Sequence, residues 1–452
     1  MIELNILDGT SIFVDAFKLE NNHYEFKDSA NVIWLKGYIE NNKFVITEKN
    51  TDVNEDDGVL SSKLDKLVLD LIESEQSGTE NTASALPEEH SPFNPEEIKV
   101  HAKSFSLRLI SDMIDDSDID LSPDFQRNFV WNSAQKSRLI ESVLLRIPLP
   151  MFYFSEDDEG RITIVDGLQR LTTIKEFMDN KFSLRNLEYL EDSCGGKYYK
   201  NEESKIGLDP KYFRWFNQTQ FSVNVIDPSS PPKVKYDIFR RINTGGKPLN
   251  NQEIRNCLAT NSLRDILKEM VNLPEFKSAT DKSIKPTRMD DQEIALRFIL
   301  FHRFMENDNT IEEYNGYMDT SLDDLTEELS KRNFDELSNY ISLFSNSMQN
   351  SEYLFGRKYA FRKVRPFDLV PTANKQLINK ALFVSWSVLL SRYDHNQIRN
   401  LNPEKALLEP LAQNIFEDRD FLNFLSYGTN GRSNLLYVFD KVQEIIEENL
   451  NY

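Results

Sequence analysis

Between residues 73 and 97 the chain loses the means to build a core. The run ESEQSGTENTASALPEEHSPFNPEE holds seven Glu and three Pro and no Lys or Arg. Such a stretch buries too little apolar surface to offset its chain entropy, so it reads as an acidic linker. Whatever folds must therefore fold on either side of it. The full 452 residues suit two or three domains of roughly 100–200 residues each.

Ahead of the linker, residues 1–72 read as a β-rich accessory domain with a helix. MIELNIL, SIFVDAFKLE, HYEFKDS, NVIWLKGYIE and KFVIT alternate polar with β-branched or aromatic residues, and Asp8-Gly9, Asn21-Asn22 and Asn41-Asn42 break them as turns. SSKLDKLVLDLIE then places Leu64, Leu67, Val68 and Leu71 on one helical face. Behind the linker, residues 98–260 mix helix and strand. SFSLRLISDMI and SAQKSRLIESVLLR read as helices, and MFYFS and RITIVDG as a hairpin. LTTIKEFM is helical, TQFSVNVI a strand and KVKYDIFRRI a helix. From 261 to 452 nearly every periodic segment is helical, as in DQEIALRFILFHRF and NKALFVSWSVLLSRY.

Composition excludes several classes. No stretch approaches the roughly 18 apolar residues of a membrane span, and MIELNILDGT has no signal-peptide pattern. Two cysteines, Cys194 and Cys257, fit a reducing, cytoplasmic setting rather than a disulfide framework or a four-Cys zinc site. The net charge of −21 argues against a chain wrapped in nucleic acid, while leaving room for a local basic patch.

Four segments carry chemistry. In Pro123-Asp124-Phe125-Gln126-Arg127, Gln126 and Arg127 either present an amide and a guanidinium to an anion or form a helix-entry loop beside an acidic run. That run, DDSDIDLSPDFQR, is no calcium loop: Leu121 stands where Gly is needed and Arg127 where Glu is. Val165-Asp166-Gly167-Leu168-Gln169-Arg170-Leu171-Thr172-Thr173 lies where a strand passes into a helix. Backbone N–H groups and the positive end of a helix converge there. Gly167 permits close approach, Gln169, Arg170, Thr172 and Thr173 add donors, and Asp166 can hold a metal ion. The alternative is a capped helix with Asp166 as N-cap.

Arg240-Arg241-Ile242-Asn243-Thr244-Gly245-Gly246-Lys247 offers a glycine pair to wrap a ligand and Asn243 to coordinate, yet it is no Walker loop. The following Asn250 and Glu253 have capping-box spacing. Arg357-Lys358-Tyr359-Ala360-Phe361-Arg362-Lys363-Val364-Arg365 packs five cations and two aromatics into nine residues. It reads either as a nucleic-acid contact through Arg357, Lys358, Arg362 and Lys363 or as a segment docked on the protein's own acidic surface. No His cluster, nucleophile elbow or zincin helix occurs; Asp394-His395-Asn396 is best read as a polar turn.

In order, PDFQRNFVW…LIESVLLRIPLPMFYF, VDGLQRLTTI and FRRINTGGKPLNNQEIR resemble the N-terminal domain of GmrSD-type restriction enzymes. RMDDQEIALRF and FGRKYAFRK…INKALF are similar to the helical region that follows, so the resemblance spans roughly residues 100 to 390. It implies a ParB/sulfiredoxin-like fold that binds or hydrolyses a nucleoside triphosphate with Mg2+ in a bacterial antiviral or modified-DNA restriction system. Asp166, Gln169 and Arg170 would be catalytic. Gln126, Arg127, Gly167, Asn243, Gly245 and Gly246 would line the nucleotide, and Asp166 and Asn243 would hold the metal. The family signature is Asp-Gly-Gln-Gln-Arg; here Leu168 replaces its first Gln, which puts hydrolysis in question. The His-Asn-His nuclease that often accompanies the family is not recognisable here, so DNA cleavage would come from a protein partner.

The expected fold class is thus α+β, mixed: a small N-terminal β-rich domain (1–72), the acidic linker (73–97), a ParB/sulfiredoxin-like α/β nucleotide-binding domain (98–260) and a helical C-terminal domain (261–452). The expected function is an NTP-dependent, hydrolysing sensor or regulator of a restriction system, with an oligomer compatible with it. The rivals are a DNA nickase using the same pocket and a non-enzymatic partner-binding scaffold.

Overall fold

A computed structural model describes residues 2–7, 11–18, 23–28, 32–40, 43–56, 58–61, 63–65, 68, 99–119, 121, 131–157, 159–242, 250–308, 310–370 and 372–452. The linker 73–97 and the three turn pairs of the first domain lie outside them. The protein is mixed α/β, and it divides into two compact units, one formed by residues 90–259 and the other by 1–89 together with 260–452.

The alternation near the N-terminus becomes five strands: β1 (Ile2–Asn5), β2 (Ser11–Lys18), β3 (His23–Lys27), β4 (Ile33–Glu40) and β5 (Lys43–Lys49). They form an antiparallel meander in chain order. Period-two patterning turns Leu4, Val14, Tyr24, Phe26, Leu35 and Phe44 inward, where Leu60, Leu64 and Val68 cover them. Nearly buried Glu55 ties the sheet to the helical turns after it: it accepts from Asn5 N at 3.0 Å and pairs with Lys63 at 2.6 Å.

Residues 99–259 contain β6 (Val100–Ser106), α1 (Leu107–Asp115), α2 (Ser133–Leu144), β7 (Phe152–Glu156) and β8 (Ile162–Asp166). They continue through α3 (Leu168–Met178), α4 (Pro210–Gln218), β9 (Gln220–Ile226), α5 (Pro232–Ile242) and α6 (Asn251–Leu258). The sheet order is β6-β9-β7-β8. The β7–β8 hairpin is antiparallel as its turn predicts; β9 runs parallel to β7 and antiparallel to β6. Strand β6 corrects the sequence reading, which made Ser104–Ser106 helical. As an exposed edge strand it has no apolar alternation to reveal it, and its pairing with β9 defines it. The helix starts only after Ser106, whose hydroxyl accepts from Leu109 N at 3.2 Å.

An aromatic cluster fills the space between sheet and helices. Phe152 lies 4.6 Å from Phe221, and Phe177 is within 5.9 Å of Phe182, Tyr199 and Phe216. Glu141 on α2 is buried, yet its carboxylate accepts from Glu188 N, Tyr189 N and Leu190 N at 2.9, 2.6 and 2.8 Å. Burial pushes its pKa up, but the three donors outweigh that and hold it below the ordinary value.

The other unit adds helices, among them α7 (Asn261–Asn272), α8 (Asp290–Asp308), α9 (Asn339–Phe355), α10 (Lys380–Leu390) and α11 (Arg432–Asn449). Every residue of α10 is buried, as expected of the central member packed by α8, α9 and α11. Lys380 at its start meets Glu293, which also takes Arg297, at 3.1 and 2.8 Å. Among the described residues no helix is long and apolar enough to cross a membrane.

Candidate functional site

Strand β8 ends at Asp166 and α3 begins at Leu168, so the whole change of direction falls on Gly167. Its φ of +100° is in the left-handed region, and a Cβ there would sit 2.2 Å from Phe152 Cδ1. Only glycine meets both demands. Gly167, not Asp166, is the N-cap of α3, and among the described residues no side chain caps the helix. That corrects the capped-helix reading and leaves the first-turn donors with no side chain on them among the described residues.

Asp166 instead turns to Arg170, at 2.7 Å from Nη2. Arg170 also donates to Met151 O at 3.3 Å and to Pro150 O, and its guanidinium lies 4.2 Å from the centroid of the Phe152 ring. Burial pulls the Arg170 pKa down and Asp166 opposes that pull. The side chain is 12% exposed, against 39% for Asp166. Arg170 is therefore a brace between the helix start and the stretch entering β7, rather than a freely hanging loop cation.

The rest of the motif divides by burial. Leu168 is 7% exposed, so where the family signature has an amide this chain has a packing residue. Gln169 is half-buried. Thr173 is fully buried and its hydroxyl donates to Gln169 O at 2.8 Å, which removes it from the set of donors toward a ligand; Thr172 stays partly exposed.

Gln126, Arg127, Asn243, Gly245 and Gly246 lie outside the described residues. Their flanks are described. Asn132 and Gln135 form a capping box at the start of α2, and Asn250 and Glu253 form the one foreseen at α6, with both bonds at 2.7 Å.

Helix α6 supplies what the sequence reading missed. It packs against β8, and Gln252, Glu253, Arg255 and Asn256 are each at most 2% exposed. The Gln252 Nε2 donor has no hydrogen-bond partner among the described residues. Gln252 Oε1 accepts from Arg255 Nη1 at 3.4 Å, so what is hidden beside the strand that ends in Asp166 is one unmet amide donor, costly unless something polar meets it. The NNQEIRN pattern, polar on all sides of a short helix, was the available signal.

The basic segment 357–365 belongs to the other unit. Arg362 is fully buried and donates to Gln376 O, Ala360 O, Thr280 O, Arg357 O and Ser283 Oγ at 2.6 to 3.2 Å. Burial draws its pKa down to about 10. This corrects its assignment as a nucleic-acid contact: all its donors serve the protein's own backbone and a serine. Arg365 is buried beside Asp368, Lys363 Nζ donates to Ser426 Oγ at 3.0 Å, and exposed Arg357 pairs with Glu352 at 2.6 Å. Lys358 is half-buried, its Nζ 5.4 Å from the Tyr359 ring. Asp394 caps a short helix and His395 Nδ1 meets Asn350 Oδ1 at 3.0 Å, so that triplet is structural.

The site is thus a braced, glycine-dependent strand–helix corner at the start of α3. Residues 110–260 match the family model of the GmrSD restriction endonuclease, N-terminal domain. The GmrSD-type match covers the corner, α6 and both flanking segments, and marks this part of the chain as a domain of restriction-system type. Comparison with curated proteins finds no match, and neither does comparison with solved structures.

Proposed function

We propose that the GmrSD-type domain binds a nucleoside triphosphate with Mg2+ at the 166–170 corner, and that binding and hydrolysis regulate a restriction system acting on DNA with a partner nuclease. The observation that carries this reading is the corner itself. Gly167 admits no side chain, the α3 start is uncapped, and anions favour such a terminus. With Arg170 engaged by Asp166, Pro150 and Met151, phosphate recognition falls first to the backbone N–H groups of α3. Arg170 adds positive field from a fixed place.

The cofactors fit within limits. Among the described residues no group of three or more His, Cys, Asp or Glu is placed to hold a metal ion. Asp166, with one oxygen on Arg170 and a partly exposed carboxylate, suits a magnesium ion carried in on phosphates, which typically takes one or two protein carboxylates. When bound, Mg2+ would neutralise phosphate charge. Gln126, Arg127, Asn243, Gly245 and Gly246 remain the proposed further contacts, with Asp166 and Asn243 the proposed metal ligands and Gln169 a proposed catalytic group. The buried amide of Gln252 supports a polar ligand beside β8.

Calorimetric titration of the whole chain with each nucleoside triphosphate, with and without Mg2+, tests this. Binding of one triphosphate strengthened by Mg2+ is expected, with Arg170→Ala weaker because the corner loses both its brace on Asp166, Met151 and Pro150 and its fixed positive charge. Absence of binding, or unchanged affinity in a folded Arg170→Ala variant, overturns it.

A further inference from the structure

The basic run at 357–365 is largely engaged within its own unit, but a different set of cations meets aromatic rings and no acid. Two residues past the end of helix α2 stands a left-handed residue, Arg146, with φ +61°. Its guanidinium stands 5.9 Å from the centroid of the Trp215 ring on α4, the helix packed against α2. Lys211 lies one turn before Trp215, its Nζ 4.6 Å from the indole and 5.4 Å from the Tyr212 ring. Tyr212 and Trp215 meet edge to face at 5.8 Å. Helical spacing puts Lys211, Arg214 and Trp215 on one face of α4. Arg146, Lys211 and Arg214 are exposed, the two aromatics half-buried, and Ile147 beside them is 50% exposed.

Three cations on an exposed face of an acidic chain ordinarily find carboxylates. Here, among the described residues, none of the three has an ion pair. The acids nearby in sequence are engaged elsewhere. Glu141 of α2 is buried on three backbone N–H groups, and Asp209, just ahead of α4, is held by Lys197 at 2.6 Å. Helix α4 itself, PKYFRWFNQ, has two cations and no acid. A net charge of −21 repels phosphate in general, so positive potential concentrated at one aromatic face is what a polyanion would find.

We infer that this face, formed by Arg146, Lys211, Arg214, Tyr212 and Trp215, binds single-stranded nucleic acid. The cations take backbone phosphates and the aromatics take unpaired bases. A duplex hides its base faces and leaves the aromatics without a role; a single strand uses both halves of the surface. The inference uses none of residues 166–170 and holds or fails independently of nucleotide binding there.

The test uses the whole chain and a fluorescently labelled oligothymidylate, with anisotropy read across a series of salt concentrations. The wild type should bind, quench tryptophan emission and prefer the single strand to a duplex of equal length. The variant Arg146→Gln/Lys211→Gln/Arg214→Gln should flatten the plot of log affinity against log salt by roughly 2, at about 0.7 per phosphate contact on a single strand. Trp215→Leu should weaken binding roughly 5- to 150-fold, the range for loss of one stacked base. Trp215→Phe, which keeps a ring in the same packing, should retain most of the affinity while losing the quench. Circular dichroism and thermal melts matching the wild type qualify each variant. No binding by the wild type, parallel salt plots, equal affinity for duplex, or full displacement by polyglutamate at matched charge each overturns the inference. Nucleotide titration of the triple variant should match the wild type.

Discussion

Replacing Gly167 by Ala tests the corner most directly. Two costs add. A non-glycine residue held in the left-handed region costs about 1–2 kcal/mol, and φ +100° lies beyond the comfortable part of it. The new Cβ would also stand 2.2 and 2.7 Å from Phe152 Cδ1 and Cε1, an overpacking worth about 1–3 kcal/mol. The sum is about 2–5 kcal/mol. At roughly 2–4 °C per kcal/mol for a unit of 150–250 residues, the midpoint of this unit should fall by about 4–20 °C. Thermal unfolding followed by tryptophan emission reads it, since Trp131 and Trp215 lie within the affected unit. Two further variants separate the costs. Gly167→Asn eases the backbone part, because Asn tolerates left-handed φ, yet keeps the clash; Phe152→Leu added to Gly167→Ala eases the clash and keeps the backbone part. Each should recover some of the loss. A change below about 0.5 kcal/mol in Gly167→Ala, the range of ordinary surface substitutions, would refute the account of this corner.

Three other outcomes follow from buried charge. Arg362→Ala should cost about 3–5 kcal/mol in denaturant unfolding, since it strands several buried carbonyls; a surface-like change under 0.5 kcal/mol would contradict its burial. Glu141→Gln should cost about 1–3 kcal/mol at neutral pH. Because its folded pKa is lowered from 4.5, the wild-type advantage should be full above that value and shrink as pH falls through the folded one; a pH-independent difference would argue against it. Asp291, 7% exposed, is pushed up by burial from 3.8 to about 6. The Asp291 contribution to stability should therefore fall as pH rises from about 4 to 6, by up to about 3 kcal/mol at 1.36 kcal/mol per unit. Asp291→Asn should remove that share while neighbouring Asp290, also pushed up by burial to about 6, keeps its own; a stability difference between wild type and variant that stays constant over this range would refute it.

Local pattern revealed what local forces build. The meander, the β7–β8 hairpin, the strand–helix corner and the Asn250–Glu253 box all follow from alternation, turn residues and capping spacing within a few residues. Tertiary decisions stayed hidden. Strand β6 exists because β9 reaches it. Arg170 looks like a loop cation until Pro150, Met151 and Phe152 arrive beneath it. Arg362 sits in a run that reads as surface, yet its planar fork satisfies carbonyls from several segments, something charge counting does not register. Conversely, Lys211 and Arg214 drew no notice because two cations in nine residues are ordinary; they become informative only when no acid comes to meet them. Gln126, Arg127, Asn243, Gly245 and Gly246 lie outside the described residues, so the candidate site is traced from its central corner outward.

The placement of β9 bears on how the protein is made. It inserts between β6 and β7, pairing Val100 with Ile226 on one side and Phe152 with Val223 on the other. As a nascent chain leaves the ribosome, β6 and the finished β7–β8 hairpin must wait, unjoined, until residues 220–226 emerge. Closure over so long a loop is slow. In the interval both β6 and β7 offer unpaired edges, with Phe152 and Phe154 uncovered beside them, a state prone to wrong partners. A pause in synthesis before residues 220–226 have left the ribosome should therefore yield chaperone-dependent, aggregation-prone intermediates, whereas a pause after they have emerged should not.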